Sequence, residues 1–312
     1  MKGGNTMIKP QYSVVLESYT ENILWLESAF EAAEEPVTKM VNDTNKSKIT
    51  NNTAKEDPTK SNSPLTKKTF GNVLKGILET LKNLISKWSI KLKNRLKMMM
   101  NTNKGYIKQL NDRMKTVKPG EAIKVVTYAY NIPMIERVYN GVSKQYSTIM
   151  NNILNVIANI DKVDPNNVLD GKKDNDLIQD MIQAGFRNNS LDSPNKFFTF
   201  IRDQFRGESK EILYRREQLP AIIKLSQDYQ ALSAKLGKEH ANANRELNRI
   251  KALETKMLYN GNNADKSKLC NDLVKVATKV RNFYQSFISY YMELKLEQIL
   301  SYRAIVKRFY QF

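Results

Sequence analysis

This 312-residue chain contains a single cysteine and few glycines and prolines, and these low counts exclude several classes of protein. The single Cys270 excludes an intramolecular disulfide and a cluster of thiolate metal ligands, and it fits a protein made in a reducing cytoplasm. Only 12 glycines and 9 prolines occur, which argues against a turn-rich β architecture. No segment reaches the roughly 18 uninterrupted apolar residues that a membrane-spanning helix needs, and the N-terminus lacks the apolar stretch of a secretory signal. We therefore expect a protein that is soluble or at most peripheral to a membrane.

Residues suited to catalysis are also scarce. The one histidine, His240, is predicted to lie on a polar helix face, where a lone imidazole is more often inert than catalytic. Cys270 is expected to be a buried or incidental thiol. No Gly-rich phosphate loop or H-E-x-x-H zinc pattern occurs, and the acidic loop at residues 161–170 lacks the ligand spacing of a calcium site. The prediction is a non-enzymatic protein with no metal and no cofactor.

Positive charge is what the chain has in excess. Fifty Lys and Arg side chains against 32 Asp and Glu give a net charge of +18. Residues 67–118 hold fourteen cationic and two acidic side chains, a local net charge of 14 − 2 = +12. Residues 10–35, by contrast, hold six acidic side chains and no Lys or Arg, so this opening could mask the basic block. A balance of this kind favours a polyanionic partner, either nucleic acid or an anionic membrane surface.

Apolar periodicity predicts an all-α protein. Large apolar residues recur three and four apart along residues 68–100, which indicates one long cationic amphipathic helix. A second helix is predicted from residue 101 to 117, and a third over 121–160 with a kink at Pro133. Shorter helices are predicted near 177–186 and 196–205. No β-alternation of useful length is apparent.

The last ninety residues show two heptad-like series. The first has apolar a positions, but two of its d positions are Glu239 and Glu246. A Gly/Asn turn at 260–263 leads into the second series, so the pattern predicts an antiparallel helical hairpin. The polar d positions favour a hairpin packed on a bundle over a free coiled coil. Lys235 and Lys279 are expected off the seam, on exposed faces.

The predicted fold class is an elongated all-α helical bundle with a C-terminal antiparallel coiled-coil-like hairpin and a disordered N-proximal tether. The tether is rich in Asn, Thr, Ser and Pro, and a segment so poor in apolar groups cannot offset its ordering entropy. We expect limited proteolysis to cut it before any other part of the chain. The segments are an acidic amphipathic helix at 1–35, the linker at 36–67, basic amphipathic helices at 68–118, a helical domain at 119–221 and the hairpin at 222–312.

Three features carry functional hypotheses. The cations of the basic block could bind nucleic acid or an anionic surface, while its apolar stripe could enter a bilayer interface or, as is more usual, pack against protein. The cluster FFTFIRDQFRG at 197–207 could stack on bases, although aromatic packing in a core is favoured. The Tyr- and Phe-rich C-terminus either docks on the body or binds a partner. The candidate binding residues are Lys75, Lys82, Lys87, Lys91, Lys93, Arg95 and Lys97.

Several segments follow one another in a recognisable order. An acidic amphipathic opening, ESYTENILWLESAFEAAEE, precedes the polar tether; then come a Lys-rich helix, KGILETLKNLISKWSIKLKNRLK, and a closing helix, SYYMELKLEQILSYRAIVKRF. This layout, which extends over most of the chain without an invariant motif, resembles that of internal virion proteins of large tailed bacteriophages. The resemblance implies a structural virion protein, made in the host cytoplasm and assembled with other virion proteins or with itself, with non-specific contact to packaged DNA.

The same resemblance implies a processing site. Maturation proteases of some large phages cut after Glu in a small-x-Glu context, a form that residues 29–31 and 32–34 share. The acidic opening therefore resembles a propeptide released after Glu31 or Glu34. Two other classes of function stay open: a membrane-active protein that acts through residues 68–100, and a helical adaptor that binds another protein through the hairpin. Liposome binding and a pull-down with the hairpin would separate these two classes.

Overall fold

α-Helices make up most of the chain that the computed structural model describes, which is residues 64–187, 191–260 and 264–312. The all-α prediction is therefore confirmed. The predicted acidic helix at 1–35, the linker at 36–63 and both Glu31 and Glu34 lie outside the described residues. From Leu65 to Phe312 the chain forms one compact unit.

The helices differ greatly in length. They are α1 (Pro64–Thr116), α2 (Ile132–Ala158), α3 (Asp174–Gly185), α4 (Pro194–Arg206), α5 (Leu219–Ser226), α6 (Tyr229–Asn260) and α7 (Ala264–Tyr310). Two of the starts show why these residues begin a helix: the side chain of Asn131 accepts a bond from the Met134 amide at α2, and that of Ser193 accepts one from the Lys196 amide at α4. These caps satisfy backbone donors that have no partner inside the helix.

Helix α1 is a single 53-residue helix, so the predicted break after Asn101 is wrong. The sequence there, NTNKG, has weak helix propensity. Buried Met99 and Tyr106 lie on either side of it and hold both flanks against the body. Tertiary packing of this kind overrides local propensity. The helix therefore also includes residues 64–67, which the sequence assigned to the linker.

Two strands correct the expectation that β-structure is missing. Strand β1 (Ala122–Tyr128) pairs antiparallel with β2 (Ser209–Arg215), and Tyr128 lies opposite Ser209. In β1 the exposed and less exposed residues alternate, as the two-residue period of a strand requires. The predicted helix over 121–160 is therefore wrong for its first part. Pro133 does not kink a helix but occupies the first turn of α2, where a missing N–H costs nothing.

Four long helices surround the main core. Helix α6 runs antiparallel to α7, since its Glu239 contacts Tyr284 while its Glu246 contacts Arg281. The predicted antiparallel hairpin is thereby confirmed from Tyr229 onward, but its predicted first residues, 222–226, belong to the separate helix α5, because the chain turns at residues 227–228. Helix α2 runs parallel to α6, because contacts between them advance together, from Tyr139–Glu239 to Tyr146–Glu246. Contacts of Ser89 with His240 and of Lys82 with Glu254 show that α1 runs antiparallel to α6.

A second hydrophobic cluster holds the ends of α1 and α7 together. Helix α5 joins it, and the inner face of the β1–β2 pair packs against it. The aromatic C-terminus is part of this cluster. Of the two predicted alternatives, docking on the body or binding a partner, the structure shows the first. The buried members are Tyr106, Leu110, Leu219, Ile222, Ile305, Val306, Phe309 and Tyr310.

Helices α2 and α3 approach each other unusually closely at Gly141. A Cβ placed on Gly141 would lie 2.1 Å from the carbonyl oxygen of Ala184. No side chain fits at that distance, so the glycine is required for the two backbones to meet. Gly185 lies on the other side of the same contact and faces Val142 and Phe197.

Candidate functional site

The apolar stripe of α1 faces the protein core. Six of its described residues pack in the main core and are at most 7% exposed, while Leu84 and Leu96 are partly buried. The stripe therefore packs against protein, as the more usual of its two predicted roles requires, and in this fold it is not available to a bilayer. The six core residues are Leu78, Leu81, Ile85, Trp88, Leu92 and Met99.

The candidate cations divide into two groups. Lys75, Lys87, Lys93 and Lys97 are exposed, as a binding surface requires. Lys82, Lys91 and Arg95 are partly buried. The structure therefore presents four of the seven to solvent.

Two of the partly buried lysines are engaged by the body. Lys82 contacts Glu79 and also lies 3.3 Å from Glu254 of α6. The hydrogen bond to Glu79, opposed by burial, raises the pKa of Lys82. Burial, with the neighbouring Arg95 charge, lowers the pKa of Lys91. Lys82 and Lys91 therefore interact mainly with other residues of the protein and are less available to bind a partner.

Sequence reasoning missed three further exposed lysines, which continue the same face of α1. Lys104, Lys108 and Lys115 are exposed and lie beyond the expected break. Together with Lys93 and Lys97 they are spaced 4, 7, 4 and 7 residues apart. We call these five residues the lysine row. Eleven residues make just over three turns of an α-helix, so the row keeps to one side over about 33 Å. The repeat is visible in the sequence once α1 is known to be continuous.

Polar side chains fill part of the bundle interior, where the sequence showed polar d positions. Glu239 is 2% exposed. Its carboxylate accepts hydrogen bonds from Tyr139 Oη and Tyr284 Oη, each at 2.7 Å. Burial and the Glu239 charge raise the pKa of both tyrosines, so they stay protonated as donors. A carboxylate in the interior is stable only when it is bonded in this way.

One heptad further along α6, Glu246 makes the corresponding contacts. It accepts a bond from Tyr146 Oη at 3.0 Å and forms an ion pair with Arg281 at 2.5 Å. Arg281 is 1% exposed, and its guanidinium carbon lies 4.5 Å from the centre of the Trp88 ring. Burial, the largest single effect, lowers the pKa of Arg281, but the interactions with Glu246, Tyr146 and Tyr284 together outweigh it, so the pKa is raised. Burial also raises the pKa of Glu246, so within the bundle the carboxylate depends on Arg281 and the Tyr146 hydroxyl to hold its charge.

A third layer combines two lysines with two carboxylates. Lys295 is 2% exposed and lies 3.4 Å from Asp228 and 3.5 Å from Glu136. Lys235 also contacts Glu136, and its ammonium lies over the rings of Tyr139 and Tyr291. The expectation that Lys235 is a plain exposed side chain is wrong, because it packs over aromatic rings. Lys279 is exposed, but it pairs with Asp174 at 2.7 Å.

We call these three layers, centred on Glu239, Glu246 and Lys295, the interior network. Its members come from α2, α6 and α7 and from Asp228, which directly precedes α6, and each charge is matched by an opposite charge or by hydroxyl donors. Buried polar groups of this kind fix the alignment of packed helices. Among the residues that the structure describes, no group of three or more His, Cys, Asp or Glu side chains could hold a metal ion.

The two candidate reactive side chains, His240 and Cys270, are both held by contacts within the fold. His240 Nδ1 lies 2.8 Å from Ser89 Oγ, and Asn244 contacts the other ring nitrogen. Cys270 is buried, and burial raises the pKa of its thiol to about 12. Because the thiolate is the nucleophile, Cys270 is inert at neutral pH.

The aromatic cluster on α4 is core. Phe197 and Phe205 are fully buried, and Phe198 contacts the rings of Phe283 and Tyr290. The neighbouring Arg206 forms an ion pair with Glu297 at 2.6 Å. The favoured of the two predicted roles is confirmed, and these rings do not offer a surface for stacking bases.

Comparison with known proteins adds no relative. No family model, curated protein or solved structure matches the chain. Within the described part of the chain, none of the helices combines the length and the apolar character needed to cross a membrane. The chain therefore offers two features from which to argue function: the external lysine row and the interior network.

Proposed function

We propose that this chain is a non-enzymatic structural protein of a tailed-phage particle that binds nucleic acid through the solvent face of α1. The observation that carries the binding proposal is the lysine row, because five exposed cations lie in line on one side of a single helix. Cations arranged in this way neutralise phosphates and release counterions without reading sequence. Placement in a phage particle rests on the layout resemblance.

The packing of α1 supports nucleic acid over a bilayer as the partner. Insertion at a bilayer interface requires an apolar helix face, and α1 uses its apolar stripe in the main core. The cations point the other way, so the helix can meet a polyanion without unfolding. The interior network supports a structural role, since it consists of matched charges enclosed between helices rather than of groups at an open cleft.

Binding is tested with the full chain and duplexes of unrelated sequence. The affinity should be indifferent to sequence, and the logarithm of the association constant should fall linearly with the logarithm of salt concentration. Titrations between about 50 and 200 mM salt measure both properties. An affinity that does not change with salt, or no binding at the lowest concentration, would remove nucleic acid from the list of partners.

The location is tested by mass spectrometry of purified particles from cells that carry the gene. We expect this chain among the particle proteins, with a new N-terminus at Ala32 or Glu35 if the acidic opening is removed after Glu31 or Glu34. Intact chain in the particles would reject the processing step alone. Particles that lack the chain while the cells contain it would reject the structural assignment.

A further inference from the structure

We infer that the lysine row is a track for double-stranded nucleic acid lying along α1, with the axis of the duplex roughly parallel to the axis of the helix. This inference rests on the proposed function and names the form of the ligand and its orientation. It also extends the contact to Lys104, Lys108 and Lys115, beyond the cations that sequence reasoning selected.

The spacing of the row fits a duplex. Its lysines form three groups, Lys93 with Lys97, Lys104 with Lys108, and Lys115, which repeat every eleven residues. Eleven helical residues rise about 16.5 Å. One turn of B-form DNA is about 34–36 Å long, and each of its two strands crosses a given side once per turn, so crossings recur on average about every 17 Å. Successive lysine groups therefore meet successive backbone crossings.

The surroundings of the row suit phosphate oxygens. Asn94, Asn101 and Asn111 are exposed beside the row, and side-chain amides are common donors to phosphate. Asp112 is the one acidic residue from Thr80 to Thr116. The row is thus a nearly unbroken line of cations and neutral donors.

The same face favours a duplex over a single strand or a bilayer. Proteins that bind single strands stack bases on aromatic side chains, but Trp88 and Tyr106 of α1 are buried in the two clusters. Four large apolar side chains of α1 are exposed: Ile90, Met98, Met100 and Met114. Four separate apolar side chains do not make the continuous apolar face that an interface helix inserts.

The test compares two variants of the full chain with equal net charge. In the row variant all five lysines of the row become Gln. The control variant makes the same change at five exposed lysines on other elements. These control positions are Lys144, Lys210, Lys224, Lys238 and Lys251. Fluorescence anisotropy is measured with a 24-base-pair duplex, a single strand of the same length and vesicles of anionic phospholipid, and circular dichroism melts confirm that both variants fold.

The row variant should lose about 4.5 from the salt slope for the duplex, which is five contacts at about 0.9 each. Its affinity for the duplex at 50 mM salt should fall about 100-fold or more, while the control variant stays within about threefold. A hairpin stem of 6 base pairs, about 20 Å long, covers only part of the row and should show a smaller slope than the 24-base-pair duplex.

Each other outcome overturns a distinct statement. If the chain binds the duplex but the two variants behave alike, the row is not the site, and the proposed function survives on another surface. If the single strand binds as tightly as the duplex, or the short stem gives the full slope, the track along α1 is rejected. If vesicles bind through the row and the duplex does not bind, the inference and the proposed function both fail.

Discussion

The ion pair between Arg281 and Glu246 allows the energetics of the interior network to be tested directly. Arg281 Nη1 contacts Glu246 and Tyr146, each at 2.5 Å, while its Nε and Nη2 find no acceptor among the described residues. The guanidinium is therefore held by one carboxylate, one hydroxyl and the face of Trp88. We expect the ion pair as a whole to contribute little to the free energy of unfolding. Removal of either charge alone should destabilise the fold strongly.

The magnitudes follow from burial. In Arg281→Met the Glu246 carboxylate keeps only the Tyr146 hydroxyl as a donor, and in Glu246→Gln the arginine stays in the interior without a counter-charge. Each single change should cost about 3–5 kcal/mol of unfolding free energy, as breaking a buried pair does. The double variant removes both charges and keeps an apolar stem, so it should lie within about 1–2 kcal/mol of the wild type. The coupling energy is then at least about 4 kcal/mol.

Urea denaturation followed by circular dichroism measures all four proteins, with the slope against urea checked for constancy. The matched control is the exposed pair Lys196–Asp192, whose side chains are 60% and 62% exposed. Its cycle should give under about 0.5 kcal/mol. Additive losses in the interior cycle, with the double variant the least stable of the four, would refute the assignment of a buried mutual pair.

Three further measurements follow from the packing. Gly141→Ala should destabilise the fold by more than about 2 kcal/mol, because its Cβ would overlap the Ala184 carbonyl and a packed core resists overpacking. Gly237→Ala should instead stabilise α6 by about 0.5–1 kcal/mol, because a Cβ at that position would meet nothing within 4 Å. Leu232→Ala should cost about 2–5 kcal/mol of unfolding free energy through the cavity it leaves. Lys235→Ala should cost at least about 1 kcal/mol through lost contact with two rings. Urea titrations measure both losses, and a loss for Lys235→Ala as small as that of a surface residue would contradict the packing. A thiol reagent at pH 8 should label Cys270 only when the protein unfolds, since burial raises the pKa of that thiol to about 12, and labelling of the folded protein within minutes would contradict its burial.

Local pattern was sufficient to predict the core faces of the long helices, but not all of their ends, and it was insufficient for the strands. The core positions of α1 and of the α6–α7 hairpin follow helical spacing, and a helix's buried face depends on near neighbours in sequence. Strand β1 depends on a partner some eighty residues away, since Thr127 pairs with Lys210. Its short run of β-branched residues carries no sign of that partner, and strand preference is set largely by such context.

The candidate site was predictable in part for the same reason. Exposure of Lys93 and Lys97 follows from their position on α1, but the partial burial of Lys82 depends on Glu254, which lies far along the chain. The glutamates at d positions were visible as anomalies in the heptads. Their meaning depends on donors from α2 and α7, such as Tyr139 and Arg281, and no periodicity within α6 indicates them.

Because the interior network repeats every seven residues along α2 and α6, its tyrosine–glutamate contacts alone do not fix the alignment of these helices. Tyr139 and Tyr146 on α2 face Glu239 and Glu246 on α6 at the same seven-residue step. A slip of one heptad, about 10.5 Å, would therefore bring Glu246 opposite Tyr139 and preserve a tyrosine–glutamate contact. Arg281 of α7 has no cationic counterpart one heptad away. If α6 slipped by one heptad, Leu253 would take the place of Glu246 beside Arg281. The buried cation would then lack a counter-charge, at a cost of several kcal/mol. Arg281 therefore distinguishes the native alignment of α6 from an alignment shifted by seven residues, which the repeated tyrosine–glutamate contacts cannot do.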